Sequence, residues 1–275
     1  MLSGPAELSR APPQLRPQTL LSFRAFREAV PLKALVVGAS AGVGRALSAA
    51  LAQRGSALLL VASDARDLER QASHLRSMYG VQVQTVAADA AQPEKFLNNI
   101  TTAAETFGDI QGLFFPIGFS NPNDRGALPF TELQRLINVN LLVVMAVVSY
   151  FLPRLQKAGY GHIVGFGSVA AVRGRSSNVA YAAAKRGLAS YFESLRHLTA
   201  QSKVRVQFYQ LGYVATQQSF GRRLWFSPGS PEDIAAAVIR NLDRDQPTRF
   251  LPRYWAVIAR FLSALPWVIF RRLDI

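Results

Sequence analysis

Six short apolar runs alternate with helical stretches along this chain, and that alternation limits the fold more than any other feature. The runs are KALVVG (33–38), ALLLVA (57–62), VQVQTVAA (81–88), GLFFPIG (112–118), HIVGFGS (162–168) and VRVQFYQLG (204–212). Helical patterning fills 42–54, 66–79, 92–107, 131–157 and 178–201. Strand, helix, strand repeated in this way implies a parallel sheet with helices on both faces, joined by right-handed crossovers. The expected architecture is a doubly wound α/β sheet that takes its ligands at the carboxyl ends of the strands. No internal repeat or linker breaks the pattern, and 275 residues suit one large domain. We place that domain at 32–248, between a flexible extension over 1–31 and an amphipathic tail over 249–275.

The first strand runs directly into VGASAGVGRAL, which sets Gly38, Gly42 and Gly44 at a strand-to-helix turn, with Ser40 and Val43 between them. Glycine is needed where a backbone turns sharply and approaches a pyrophosphate with no Cβ in the way. The helix start beyond it offers unsatisfied N–H groups and a partial positive charge. After the first strand of an alternating pattern, such a turn points to dinucleotide binding.

A second motif lies in AYAAAKRGL (180–188), where Tyr181 and Lys185 stand four apart with only alanines between. On a helix both side chains share one face. A phenol with an unperturbed pKa of ~10 exchanges its proton poorly at neutral pH. A lysine ammonium one turn away favours phenolate and is expected to lower that value. The pair therefore suits proton donation to an oxygen that becomes an alkoxide during hydride transfer to a ketone.

The glycine spacing G-x-x-x-G-x-G, Tyr181-x-x-x-Lys185 and an upstream Ser168 together resemble the short-chain dehydrogenase/reductase family, over about residues 32 to 245. The resemblance implies a single-domain Rossmann-type fold and a catalytic set of Ser168, Tyr181, Lys185 and Asn140. In it the serine bonds the substrate oxygen, the lysine also holds the nicotinamide ribose, and the asparagine of NVNLL helps to hold a water that relays protons to Lys185. It further implies cofactor contacts at Gly118, at Asp89 beside the adenine and at Thr216 beside the nicotinamide carboxamide. Family members commonly form homodimers or homotetramers through the helices at about 131–157 and 178–201. Two departures stand out: FPIG (115–118) replaces the family's NNAG, and Leu211 replaces the proline of its PG pair.

The cofactor choice rests on the end of the second strand, near Ser63 and Asp64. An acid there accepts adenosine ribose hydroxyls and repels a 2′-phosphate, so Asp64 favours NAD(H) over NADP(H), while Arg45 and Arg66 pull the other way. No metal is expected, because cysteine is absent and His74, His162 and His197 lack ligand spacing.

Charge and the tail bear on partners. The net charge is +14, carried by 26 arginines and 5 lysines, yet no run of five like charges or basic–aromatic interleaving marks a nucleic-acid site. From Arg249 onward five arginines face one acid among Trp and Phe, which suits a membrane surface instead. Apolar residues at 254, 257, 258, 261, 262 and 265 make a helical stripe that Pro266 breaks. A tail packed over the cleft or at a dimer contact is the competing reading. The apolar run LLVVMAVVSYFL (141–152), bounded by Pro153, is too short to span a bilayer and is expected to be a buried core or subunit-interface helix. The N-terminus lacks the apolar core of a secretory signal, so a cytoplasmic protein, peripheral at the membrane, is expected.

FPIG, the Arg173–Arg175 segment RGRSS and the ending LPWVIFRRLDI look like one subgroup, the decaprenylphosphoryl-2-keto-pentose reductases. That resemblance implies a lipid-phosphate-linked keto-sugar substrate, with a flavin oxidase as working partner. Arg173 and Arg175 are the candidates for holding the phosphate. Another lipid ketone (a 3-ketosphinganine, a 3-oxoacyl chain or a steroid) is the alternative substrate, and a non-catalytic dinucleotide-binding partner the alternative class.

Overall fold

The computed structural model describes residues 31–215 and 228–273, and Thr216 and all but the last residue of the 1–31 extension lie outside them. Seven described strands form one parallel sheet: β1 (Lys33–Val37), β2 (Ala57–Ala62), β3 (Val83–Ala87), β4 (Gly112–Phe115), β5 (Gly161–Ser168), β6 (Val204–Leu211) and β7 (Arg249–Leu251). Their order is β3-β2-β1-β4-β5-β6-β7. The chain therefore winds outward one way through β3, then returns past β1 to β4 and winds the other way. A crevice opens where neighbouring crossovers diverge, at the carboxyl ends of β1 and β4.

These runs become central strands because they are apolar throughout and buried on both faces, as a sheet flanked by helices demands. On one face lie α3 (Pro93–Phe107), α5 (Val143–Ala158) and α6 (Val179–Leu198), which press Phe96, Val147, Phe151, Leu188 and Phe192 onto the strands. Each such side chain contributes ~1.5–3 kcal/mol by leaving water. On the other face α1 (Gly42–Gln53) packs along α7 (Pro231–Arg240), with α2 (Ala65–Tyr79) beside it. Sequence patterning missed α7.

Two expectations need correction. The apolar run 141–152, read as too short to span, belongs to a longer helix that continues through Pro153 to Ala158, as the patterning over 131–157 predicts. Proline removes one hydrogen bond, but tight burial of Val147, Val148, Phe151 and Leu155 holds the helix together. Together with α4 (Phe130–Ile137) and a π-helical turn over Asn138–Leu142, it spans Phe130–Ala158. By length and composition that span suffices to cross a membrane, yet half of its most apolar window is buried inside the fold. The second correction concerns the tail, whose first residues are the edge strand β7, paired parallel to β6 with Leu211 opposite Leu251. The boundary drawn at 249 therefore cuts through the sheet.

The amino end of β5 carries His162, buried between the Tyr160 hydroxyl at 2.7 Å and the Asp243 carboxylate at 3.6 Å. Loss of water pushes its pKa down to about 4, against an opposing pull from Asp243. The unfolded chain takes up this proton near pH 6.5, so between there and about 4 the unfolded state binds more protons and stability drops as the pH is lowered. Denaturant titrations should show a loss on the order of 3 kcal/mol across that window, largely abolished in a His162→Gln protein.

Candidate active site

A cavity of ≈ 610 Å³ lies against the carboxyl ends of the strands. Gly38, Ser40, Gly42 and Val43 form one wall, Ser63 and Asp89 the far end, Gly118 the floor beside β4, and Ser168, Tyr181 and Lys185 the opposite wall. Residues more than a hundred positions apart in the chain thus converge where the topology leaves space. The glycine turn meets its steric requirement: Gly38 sits at φ +91°, and a Cβ on Gly44 would collide with the Gly38 carbonyl. Gly44 acts by close packing, since it does not line the cavity. The α1 N-terminus has neither a side-chain cap nor an acid in its first turn, which leaves its N–H groups suited to a phosphate. A dinucleotide pyrophosphate fits this cradle.

Lys185 is 3% exposed, and its Nζ donates to the carbonyls of Ile117 at 3.1 Å and Phe166 at 3.2 Å. Burial lowers its pKa to about 8. Tyr181 differs from expectation: loss of water raises its pKa, and a hydrogen bond with Ser168 offsets this only in part. Both titrating groups are buried, and loss of water by the phenolate sets the direction of the tyrosine's shift. The Ser168 Oγ also accepts from the Ala170 N–H at 3.2 Å.

Asn140 is wholly buried in the π-helical turn and does not line the cavity. Its Nδ2 donates to Phe119 O at 2.7 Å and Leu136 O at 3.0 Å, and its Oδ1 accepts from Phe119 N at 3.1 Å. The side chain thereby pins the segment that carries Gly118, and a Cβ at Gly118 would lie 3.5 Å from Asn140 Oδ1 and 3.6 Å from Lys185 Nζ. The apolar FPIG segment keeps a working element, because Ile117 contributes a backbone carbonyl.

Other sequence candidates move. Asp64 caps α2: its Oδ1 accepts from the Asp67 N–H at 3.0 Å, which holds its carboxyl below the usual range. It does not line the cavity, whereas Asp67 and Arg45 do. Arg45 is engaged at the Ser40 carbonyl at 3.0 and 2.5 Å. Asp89 stays at the cavity and also accepts from the Ala91 N–H at 2.9 Å. Arg175 lines the cavity, but Arg173 does not. Its NH1 donates to Leu262 O and Leu265 O at 2.6 and 2.5 Å, and its guanidinium stacks 3.9 Å from the Phe270 ring centroid. The carbonyls at the end of a helix lack intrahelical partners, and a loop arginine satisfies them better than a solvated one would.

The tail, α8 (Trp255–Ala264) and α9 (Trp267–Phe270), docks through Trp255, Ala259 and Phe270. Trp255 fills the space over Gly212 and meets Tyr213 edge-on at 5.3 Å, behind two residues of the cavity wall. The expected stripe therefore splits. Ile258, Leu262 and Leu265 turn partly inward, while Tyr254, Val257 and Phe261 stay exposed with Trp267, Val268 and Ile269. Cavity-lining residues that sequence reasoning missed include Asp67, Phe119, Arg135, Asn178 and Tyr213. None carries a local sequence signal; Arg135 and Phe119, sixteen positions apart, meet only in the fold, with the guanidinium 4.3 Å from the ring centroid. Among the described residues no group of three or more His, Asp or Glu side chains is placed to hold a metal.

Fold and cavity define an α/β enzyme built around a dinucleotide cradle. Residues 32–224 match the short chain dehydrogenase family, and the chain belongs to it. It is a nicotinamide-dependent oxidoreductase acting between alcohols and carbonyls. Its relatives include 1-deoxy-11-beta-hydroxypentalenate dehydrogenase of Streptomyces exfoliatus, 30% identical over 225 residues, covering 78% of this chain and 80% of that one. Levodione reductase of Leifsonia aquatica is 26% identical, covering 83% and 86%. The short-chain dehydrogenase of Sphingobium yanoikuyae, solved with NADPH, shares the fold with a TM-score of 0.75 at 23% identity, over 86% of this chain and 97% of that one. A 7beta-hydroxysteroid dehydrogenase does so with a TM-score of 0.78 at 19% identity, over 87% and 94%.

The buried lysine sets an expected pH dependence. As pH rises through about 8 the ammonium is lost, and with it the charge that favours a phenolate left by proton donation. Steady-state ketone reduction should decline above about pH 8, and Lys185→Arg should keep a flat, lower profile past that point.

Proposed function

We propose that this protein reduces a ketone on a lipid-linked substrate with NADH, the favoured substrate being the 2-keto group of a polyprenyl-phosphate-linked pentose. The observation that carries the reductase reading is the convergence of Ser168, Tyr181 and Lys185 on the cavity that the glycine turn closes. A bound nicotinamide supplies the hydride for the carbonyl carbon. The Tyr181 hydroxyl gives its proton to the carbonyl oxygen, and the raised pKa keeps it loaded as an acid at neutral pH. Ser168, already bonded to Tyr181, orients that oxygen. Lys185 steadies the phenolate that forms and is placed to meet ribose hydroxyls. Asn140 holds the Gly118–Phe119 wall in register.

NAD(H) is favoured on altered grounds. Asp67, paired with Arg70, lines the cavity where Asp64 does not, and joins Asp89 as an acid that would disfavour a 2′-phosphate. Arg45, the group that would greet a 2′-phosphate, is occupied by the Ser40 carbonyl. The substrate reading draws on FPIG, RGRSS and LPWVIFRRLDI, on Arg175 at the cavity as a phosphate partner, and on the tail. Exposed Phe261 and Trp267, at 64% and 65%, are interspersed with exposed Arg253, Arg260, Arg271 and Arg272. That mixture suits the interface of an anionic membrane, from which a polyprenyl substrate would enter. A flavin oxidase acting on the corresponding alcohol would supply the ketone. Self-association through the helices at 130–158 and 179–198 is carried over from the family resemblance, and Leu142 stays exposed there.

The reductase reading is tested by following NADH and NADPH oxidation with a decaprenylphosphoryl 2-keto-pentose, 3-ketosphinganine, a 3-oxoacyl thioester and a 3-ketosteroid. NADH with the first ketone should be fastest, and a faster steroid or acyl ketone would redirect the assignment. Tyr181→Phe should abolish turnover and leave NADH binding intact; retained turnover rejects the mechanism. Liposome co-sedimentation tests the tail. Phe261→Ser combined with Trp267→Ser should release the protein from vesicles rich in anionic lipid, and undiminished recovery would count against membrane contact. Point changes are preferable to truncation because β7 and Trp255 belong to the folded domain.

A further inference from the structure

Asp124 lies in the loop between β4 and α4 and is 1% exposed. Its carboxylate reaches across the cavity rim to the start of α6, where Oδ1 accepts from the Ala180 N–H at 3.1 Å and Oδ2 from the Tyr181 N–H at 2.9 Å. Its own carbonyl accepts from the Asn178 N–H at 2.7 Å. Helix starts normally receive such bonds from the residue just before them. Here that residue is Asn178, held in the left-handed region at φ 57° with no side-chain capping bond. The cap comes from 57 positions upstream instead, with a negative group against the positive end of the helix.

The loop that delivers Asp124 is itself braced. Asn121 Nδ2 donates to Glu132 Oε2 at 3.0 Å, Asn123 N donates to Asn121 Oδ1 at 2.9 Å, and Asp124 N donates to Asn121 O at 3.1 Å. At its near end Asn140 grips Phe119. Farther along, α6 is anchored independently by Leu188, Phe192 and Leu195 in the core. The Asp124 bonds therefore govern the first turn of the helix, where Tyr181 sits, and little of the rest.

We propose that Asp124 is a positioning residue: by capping α6 at Tyr181 itself it fixes the tyrosine hydroxyl against Ser168 and the cavity. This rests on Tyr181 being the proton donor. Asp124→Asn keeps the shape but replaces one acceptor by an NH₂ group facing an N–H donor. Assayed with NADH and the fastest ketone of the panel above, per mole of NADH-binding sites, it should lose at least about tenfold in kcat. KM for NADH should stay within about twofold, and the basic limb of the pH profile should move. A merely structural cap would lower the melting temperature and leave kcat per binding site and the pH profile unchanged. That outcome, beside an inactive Tyr181→Phe, overturns the proposal for Asp124 alone, whereas turnover by Tyr181→Phe overturns the reading beneath it. Amide exchange of the unaltered protein is independent of how the variant folds. The Ala180 and Tyr181 N–H groups should be protected as strongly as the interior of α6, and rapid exchange there would reject the cap.

Discussion

An ammonium group withdrawn from water holds the site together. Lys185 Nζ is bound by the carbonyls of Ile117, just past β4, and Phe166, near the carboxyl end of β5. A buried charge without partners is costly, so those carbonyls, the strands that present them and the helix that carries the lysine must keep one arrangement. Both carbonyls are backbone groups, independent of side-chain identity. This explains how the apolar FPIG segment replaces a polar one without dismantling the site. The asparagine that the family resemblance singles out works on the same wall, through the backbone of Phe119.

The tail extends this logic to the outer rim. β7 completes the sheet edge, Trp255 packs behind Gly212 and Tyr213, and Arg173 closes the end of α8 while stacking on Phe270. The loop between Ser168 and Tyr181 and the loop after β6 are thus joined from outside by one amphipathic segment. Its inward residues belong to the fold. Its outward Val257, Phe261, Trp267 and Val268 have no such use and set the chain apart from a domain that ends at its last strand.

Much of the site was legible because its signals are local. Continuous apolar runs marked the central strands, the glycine spacing marked a turn, and Tyr181 and Lys185 share a helix face whatever surrounds them. Where local pattern misled, a hydrogen-bond partner that it did not reveal was responsible. Asp64 looked like a ribose acceptor from its place after β2, but the nearest unsatisfied donor is the N–H of Asp67, and capping uses the carboxylate. Arg173 looked like a phosphate ligand until two carbonyls of α8 claimed it.

By itself, then, the sequence determined the order of the elements and the position of the glycine turn, since periodicity and short spacings encode both, and the family resemblance pointed to Ser168, Tyr181 and Lys185. Only the tertiary structure decided which charged groups face the cavity, that Asp124 caps the helix of Tyr181, that burial raises the tyrosine pKa, and which side of the tail meets solvent. Hydrogen-bond partners and desolvation depend on what lies nearby in space, and that is set by segments far apart in the chain.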